Sequence, residues 1–267
     1  MYSKGWMEWL KQGSEPLFPD LLWSRPENKA TAGRLLIIGG NSQGFRSPAN
    51  AFMAAHKAGI GSLRVILPDK LRKSVSKLFP EAIFAPSTLS GSFAKTALAQ
   101  SIEEAKWADG VLLAGDFGKN SETAVFLETF LSKYAGRVVL AGDGVDNFHS
   151  NPNVLFSRKN SALVVNFGVL HALSKKERPD PPLTSSMSLY ELVNVLGQWS
   201  KEIPTALITS HQGSTLVAFK GKVSTTPVKS VNMPELAAYI VTWWIQQSNK
   251  TFESITSAVW ECNKSAK

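Results

Sequence analysis

Short apolar runs recur along this chain, most of them stopping on glycine or on a Pro-Asp pair, and stretches with helical spacing lie between them. Leu35-Leu36-Ile37-Ile38 ends at Gly39-Gly40, Leu63–Leu67 at Pro68-Asp69, Val111–Ala114 at Gly115, and Val138–Ala141 at Gly142-Asp143; Ala162–Val165 and Ala206–Ile208 come later. Runs of four or five apolar residues without polar alternation are strands covered on both faces. Helical spacing is read over Pro48–Ala58, Phe93–Trp107, Glu122–Tyr134, Leu189–Trp199 and Pro234–Gln247, with Ser47 as the cap of the first of these and Pro48 in its first turn. Strands alternating with helices predict a doubly wound, mostly parallel α/β sheet with helices on both faces. Thr215–Phe219 and Val223–Thr226, flanking Lys220-Gly221-Lys222, predict a small antiparallel hairpin near the C-terminus.

The expected organisation is an N-terminal helical or extended segment over residues 1–24 and a single α/β domain over 25–267. Within the first segment, Trp6, Trp9 and Leu10 fall on one helical stripe. The stripe suits docking on the domain or on a second copy of the chain, with a membrane-surface anchor as the alternative. Arg178–Pro182 reads as a linker or lid.

A lone Cys262 excludes an internal disulfide framework and any multi-cysteine zinc site. No apolar stretch approaches the roughly 20 residues of a membrane span, and the N-terminus lacks the apolar core of a signal peptide. A cytoplasmic protein with no membrane partner is therefore expected. The 29 Lys and Arg against 21 Asp and Glu give a formal charge of +8, which attracts anions. No basic arm concentrates it; the run Lys175-Lys176-Glu177-Arg178 is short and contains an acid, so nucleic acid is disfavoured as a partner.

In an open α/β sheet ligands bind beyond the carboxyl ends of the strands. Gly40, Gly115 and Gly142 sit there, either to let a ligand approach the backbone or simply to make tight turns. Asp116 and Asp143, at strand ends, either hold the water shell of a Mg²⁺ ion or cap loop amides. His56 reads as a packed mid-helix histidine, His149 and His171 as isolated residues, and no histidine pair has metal-ligand spacing. Of Trp243-Trp244, at least one belongs in the core and the other can line a subunit contact.

The segment Gly33-Arg-Leu-Leu-Ile-Ile-Gly-Gly-Asn-Ser, followed by Ala54-Ala-His-Lys-Ala-Gly-Ile-Gly-Ser-Leu-Arg-Val, resembles the ADP/ATP-dependent NAD(P)H-hydrate dehydratases of the ribokinase-like superfamily. Arg25–Gly33, with Lys29 and Gly33, is similar to the family's opening segment. Leu113-Ala-Gly-Asp-Phe-Gly118 followed by Glu122-Thr123 resembles its Gly-Pro-Gly-Leu-Gly loop, and Val138–Asp143 its Val-Leu-Asp-Ala-Asp strand. Gly168 falls in its His-Pro-Gly-Glu turn and Gly213-Ser214-Thr215 in its Lys-Gly-Ala-x-Thr segment, so the likeness runs from about residue 25 to 260.

The resemblance implies repair of hydrated NADH or NADPH: ADP or ATP with Mg²⁺ phosphorylates the misplaced hydroxyl, and phosphate is then eliminated. It implies Glu235 as the catalytic base and His211, Gln212, Gly213, Ser214, Thr215 and Pro234 around the nucleotide. Gly40, Asn41, Arg46, Ser47, Gly115, Gly118, Asp143 and Asn166 then face the hydrated dinucleotide, and a homo-oligomer is expected. The chain departs from the family where its Gly-Gly-x-Gly-Asp phosphate turn aligns with Val231-Asn232-Met233-Pro234-Glu235. The glycines are gone, and Pro234 removes a backbone donor. Glu235 is then either a base or a first-turn acid favoured by the helix dipole. Asn166 replaces a family histidine, His211 a lysine, and Arg46-Ser47 a Gly-Ala pair, with Arg46 a fixed cation for phosphate. Three readings follow: a hydrate dehydratase with a degenerate phosphate turn, a catalytically silent member that binds a nucleotide or a protein, and a small-molecule kinase of the same superfamily.

Overall fold

In a computed structural model, residues 8–265 are described apart from 78, 81, 178, 229 and 231. They form a ten-stranded sheet. The strands are β1 (Glu8–Lys11), β2 (Arg34–Gly39), β3 (Ser62–Pro68), β4 (Ala82–Ala85), β5 (Gly110–Gly115), β6 (Val138–Ala141), β7 (Ser161–Asn166), β8 (Ala206–His211), β9 (Ser214–Phe219) and β10 (Lys222–Pro227). Helices α1 (Pro19–Trp23), α2 (Arg46–Lys57), α3 (Arg72–Val75), α4 (Ala97–Trp107) and α5 (Ser121–Lys133) belong to the first half. Helices α6 (Asn153–Phe156), α7 (Phe167–Glu177), α8 (Leu189–Glu202), α9 (Met233–Gln246) and α10 (Thr251–Ser265) follow.

The strand order β1-β10-β9-β8-β7-β6-β5-β2-β3-β4 sends the chain outward from β2 to β3 and β4, then back past β2 to β5 and onward. The direction of winding thus reverses between β2 and β5, where a doubly wound sheet opens its ligand crevice. Only β9 opposes its neighbours, running antiparallel to both β8 and β10, so the predicted hairpin is part of the main sheet.

Each strand sends alternate side chains into two cores. Leu35, Ile37, Leu112 and Ala114 meet α2, α9 and α10 on one face. Leu36, Ile38, Val111 and Leu113 meet α4, α5, α7 and α8 on the other. The all-apolar strand runs follow from that double coverage.

Several expectations are corrected. The described part of the N-terminal stripe is an edge strand paired in parallel with β10, with Trp9 packed toward one core and Leu10 toward the other; Trp6 lies outside the described residues. Exposed, half-buried, half-buried, exposed is the pattern of Glu8–Lys11, and the free edge of β10 satisfies its backbone. Helix α2 starts at Arg46 with Phe45 as its cap residue, so Ser47 is not the cap. Helix α4 starts at Ala97, because Phe93 bridges Ser87 and its carbonyl accepts the Thr123 hydroxyl at 2.8 Å. His56 is exposed, its ring edge-on to Phe52 at 4.6 Å, since the alanines of α2 take the buried face. Trp243 and Trp244 are both buried in the core, which leaves neither for a subunit contact. Arg178 of the proline-rich loop lies outside the described residues, and the Pro181 carbonyl is held by Trp199 Nε1 at 2.9 Å. No helix of the described residues is long and apolar enough to cross a membrane.

Candidate functional site

The loops after β2 and β5 meet at the winding reversal. A Cβ on Gly39 would lie 2.5 Å from the Gly115 carbonyl oxygen, so glycine is required for the two strands to approach this closely. Gly40 N–H donates to that same oxygen at 3.0 Å. Asp116 adopts a left-handed backbone (φ 59°) that brings its carboxylate onto the start of α2. There it accepts from Ser47 N–H at 2.7 Å and from the Ser47 hydroxyl at 2.9 Å, while its carbonyl accepts from Asn41 Nδ2 at 2.7 Å. Asp143, from the loop after β6, accepts from the amides of Phe117 and Gly118 at 3.0 and 2.9 Å. Asp143 therefore caps two loop amides with its two oxygens, whereas Asp116 holds one amide and one hydroxyl of Ser47 at the start of α2.

Gly118 and Asp143 open onto a cavity of about 420 Å³ that is also lined by Lys119, Ser121, Asp146 and His149. His149, isolated in sequence, stands 3.5 Å from Asp146. Lys119 and His149 carry no sequence signal of their own, because two separate segments, 118–124 after β5 and 143–149 after β6, build this cavity. Arg46 is exposed at the start of α2 and makes no ion pair among the described residues.

The nucleotide candidates form a second group. Gln212 (φ 46°) and Gly213 (φ 71°) are the two central residues of the β8–β9 turn, both left-handed as a two-residue hairpin of this twist requires. His211 Nε2 lies 2.7 Å from the Met187 carbonyl, so Nε2 carries the proton, and the ring packs 4.4 Å from Phe167. Gln212 accepts from Leu189 N–H at 3.2 Å, tying the turn to α8. Ser214 and Thr215 are buried. Asn166 is exposed and caps α7 by accepting from Val169 N–H at 2.9 Å; Gly168 consequently lies within that helix instead of a turn.

Glu235 lies in the first turn of α9. Asn232 caps this helix: its Oδ1 accepts from Glu235 N–H at 3.4 Å and its Nδ2 donates to the Glu235 carboxylate at 2.8 Å. Leu236 N–H donates to the Asn232 carbonyl at 2.9 Å, and Pro234 has no N–H to give. The start of α9 is thus closed on itself. Val231 of the aligned turn lies outside the described residues.

Glu235 faces two cavities. One, of about 90 Å³, is shared with Thr215 and Val228; the other, of about 150 Å³, lies against Asn50, Met53 and Lys57 of α2. Cys262 lines both, and burial, with Glu235 and Glu261 nearby, pushes its thiol up to about 12. Glu235 and Thr215 are thus brought together, as are Gly118 and Asp143, and Asn41 and Ser47 through Asp116. No group of three His, Cys, Asp or Glu residues among those described could hold a metal ion.

The strand order and the structural comparisons together give the architecture. The chain has a ribokinase-like fold. A ribokinase-like superfamily protein of Enterococcus faecalis superposes with a TM-score of 0.72 at 17% identity, over 99% of this chain and 88% of that one. The ADP/ATP-dependent NAD(P)H-hydrate dehydratase of Bacillus subtilis, co-crystallized with ATP and Mg²⁺, superposes with a TM-score of 0.62 at 14% identity, over 94% and 88%. In sequence, the chain is 30% identical over 136 residues, 49% of its length, to the bifunctional NAD(P)H-hydrate repair enzyme of Methanocaldococcus jannaschii. It is 33% identical over 97 residues, 36% of its length, to the enzyme of that name in Methanothermobacter thermautotrophicus. These matches span only 27% and 18% of the two relatives. No family model matches the chain. The resemblance to hydrate-repair enzymes read from the glycine motifs is therefore also found by direct sequence comparison.

Proposed function

We propose that this ribokinase-like chain acts in the repair of hydrated NAD(P)H, as an ADP- or ATP-dependent dehydratase with Mg²⁺ accompanying the nucleotide. The likeness to hydrate-repair enzymes supports the substrate class. The observation that carries the reading is the position of Glu235: a carboxylate at the ligand edge of the sheet, sharing a cavity with Thr215 beside the β8–β9 turn. A nucleotide supplies the phosphoryl group that makes the misplaced hydroxyl a leaving group. This chain contributes a base, Glu235, to take the hydroxyl proton, and Asn232 Nδ2 to orient it.

The start of α9 does not fit a phosphate gripped by main-chain amides, since Pro234 has none and the next two amides are bonded to Asn232. That observation favours a second reading, a chain that binds the dinucleotide or nucleotide without turning it over.

Purified protein mixed with hydrated NADH or NADPH, Mg²⁺ and ADP or ATP separates the two. Recovery of reduced-nicotinamide absorbance, abolished in Glu235→Gln, is the expected result. No recovery, while an authentic dehydratase works on the same substrate, would sink dehydration and leave the binding reading.

A further inference from the structure

We propose that the cavity beside β5 and β6 holds an unphosphorylated ribose of the dinucleotide, with Asp146 as the residue that makes the chain prefer NADH hydrate over NADPH hydrate. The inference rests on the dinucleotide reading above. At about 420 Å³ the cavity falls within the range of small-molecule sites, large enough for a nucleoside.

Its lining states what a ligand must bring. The carboxylate of Asp143 is committed to the Phe117 and Gly118 amides, and Asn120 Oδ1 to the amides of Glu122 and Thr123. Asn147 Nδ2 is committed to the Asp143 carbonyl at 3.1 Å. What remains is mixed: the Lys119 ammonium and the Ser121 hydroxyl make no bond among the described residues, and Asp146 has only His149 beside it, at 3.5 Å. A vicinal diol both donates and accepts, so it satisfies a free carboxylate and free donors at once.

Charge points the same way. Two aspartates against one lysine leave the lining with a formal charge of −1 while His149 is neutral. A phosphate monoester placed on that diol would face Asp146 as a like charge, whereas hydroxyls donate to it. In the Rossmann fold, which this chain does not share, a carboxylate on the ribose 2′-hydroxyl makes the same discrimination.

Titration calorimetry of the full chain with NAD⁺ and NADP⁺, both stable probes, tests this without turnover. NAD⁺ should bind at least tenfold more tightly than NADP⁺. Asp146→Asn keeps the size and removes the charge, and should bring the ratio close to one, chiefly by tightening NADP⁺. Asp146 is exposed, and an unchanged melting temperature would show that the variant is folded. Equal binding of the two probes, no binding of either, or a ratio untouched by Asp146→Asn would each overturn the inference. NAD⁺ preference in a protein that never dehydrates the hydrate leaves this inference standing and removes the dehydratase reading. Turnover of both hydrates with equal KM does the reverse.

Discussion

Helices α2 and α9 start at the same edge of the sheet, and each could offer its N-terminal amides to an anion. Both are filled by the chain's own side chains, but from different distances. At α2 the carboxylate comes from Asp116, 69 residues away in sequence, and it locks the loops after β2 and β5 together at the winding reversal. At α9 the cap is Asn232, three residues from the Glu235 it holds. A long-range cap belongs to the fold, because opening it separates two strands' loops. A local cap stabilises one helix turn, so a ligand can displace it at small cost. The donors that stabilise a helix start and those that bind a phosphate are the same groups, and the two sites divide them differently.

The largest expected effect falls on the long-range cap. Asp116→Ala removes two charge-assisted bonds and leaves alanine in a left-handed conformation, and should cost about 3 kcal/mol in urea unfolding. Asp116→Gly relieves the backbone and should recover about 1 kcal/mol of that. If both variants unfold like the parent, the distinction between the two helix starts is wrong.

At α9 the predicted pattern is inverted. Glu235→Gln should shift stability by less than about 0.5 kcal/mol, since one exposed contact with Asn232 is altered, yet eliminate turnover. Asn232→Gly should cost a few tenths of a kcal/mol and free the Glu235 amide. ADP should then bind several-fold more tightly in calorimetry. Weaker ADP binding in Asn232→Gly would mean that Asn232 itself holds the nucleotide.

The sequence carries the parts of the fold that a double-sided core imposes. Runs such as Leu35–Ile38 and Val138–Ala141 are apolar at every position because both faces are covered, and that is visible without knowing any contact. The helical stripe that Trp6, Trp9 and Leu10 suggest gives way to strand β1, because four residues are too few to show alternation and the free edge of β10 decides the pairing. Strand β4 and helix α10 carry little sequence signal: the first is short and half-buried, the second rich in Thr and Ser that mask its Phe252, Ile255, Ala258 and Val259 face. At the site, glycine at strand ends was legible because it follows from local backbone geometry. The Asp116 bond to Ser47 and the meeting of Lys119, Asp146 and His149 are not local, so no spacing announces them.

The smallest effect concerns Cys262, which lines both cavities that Glu235 faces. Its thiol is pushed from 9.0 up to about 12, first by burial, then by Glu235 and Glu261. Its folded pKa is therefore raised above its unfolded one. Below pH 9 the thiol is protonated in both states and its contribution to stability is intact; between 9 and about 12 the unfolded chain releases the proton first and stability falls. Cys262→Ala should flatten that alkaline decline in urea midpoints measured across the window, and a decline of unchanged slope would assign it to the tyrosines and lysines instead. Glu235→Gln removes one of the two carboxylates holding the thiol protonated, so iodoacetamide should label Cys262 faster in that variant at a fixed pH. Unchanged labelling would show that the Glu235 carboxylate turns away from Cys262, toward the β8–β9 side where the nucleotide is proposed to lie.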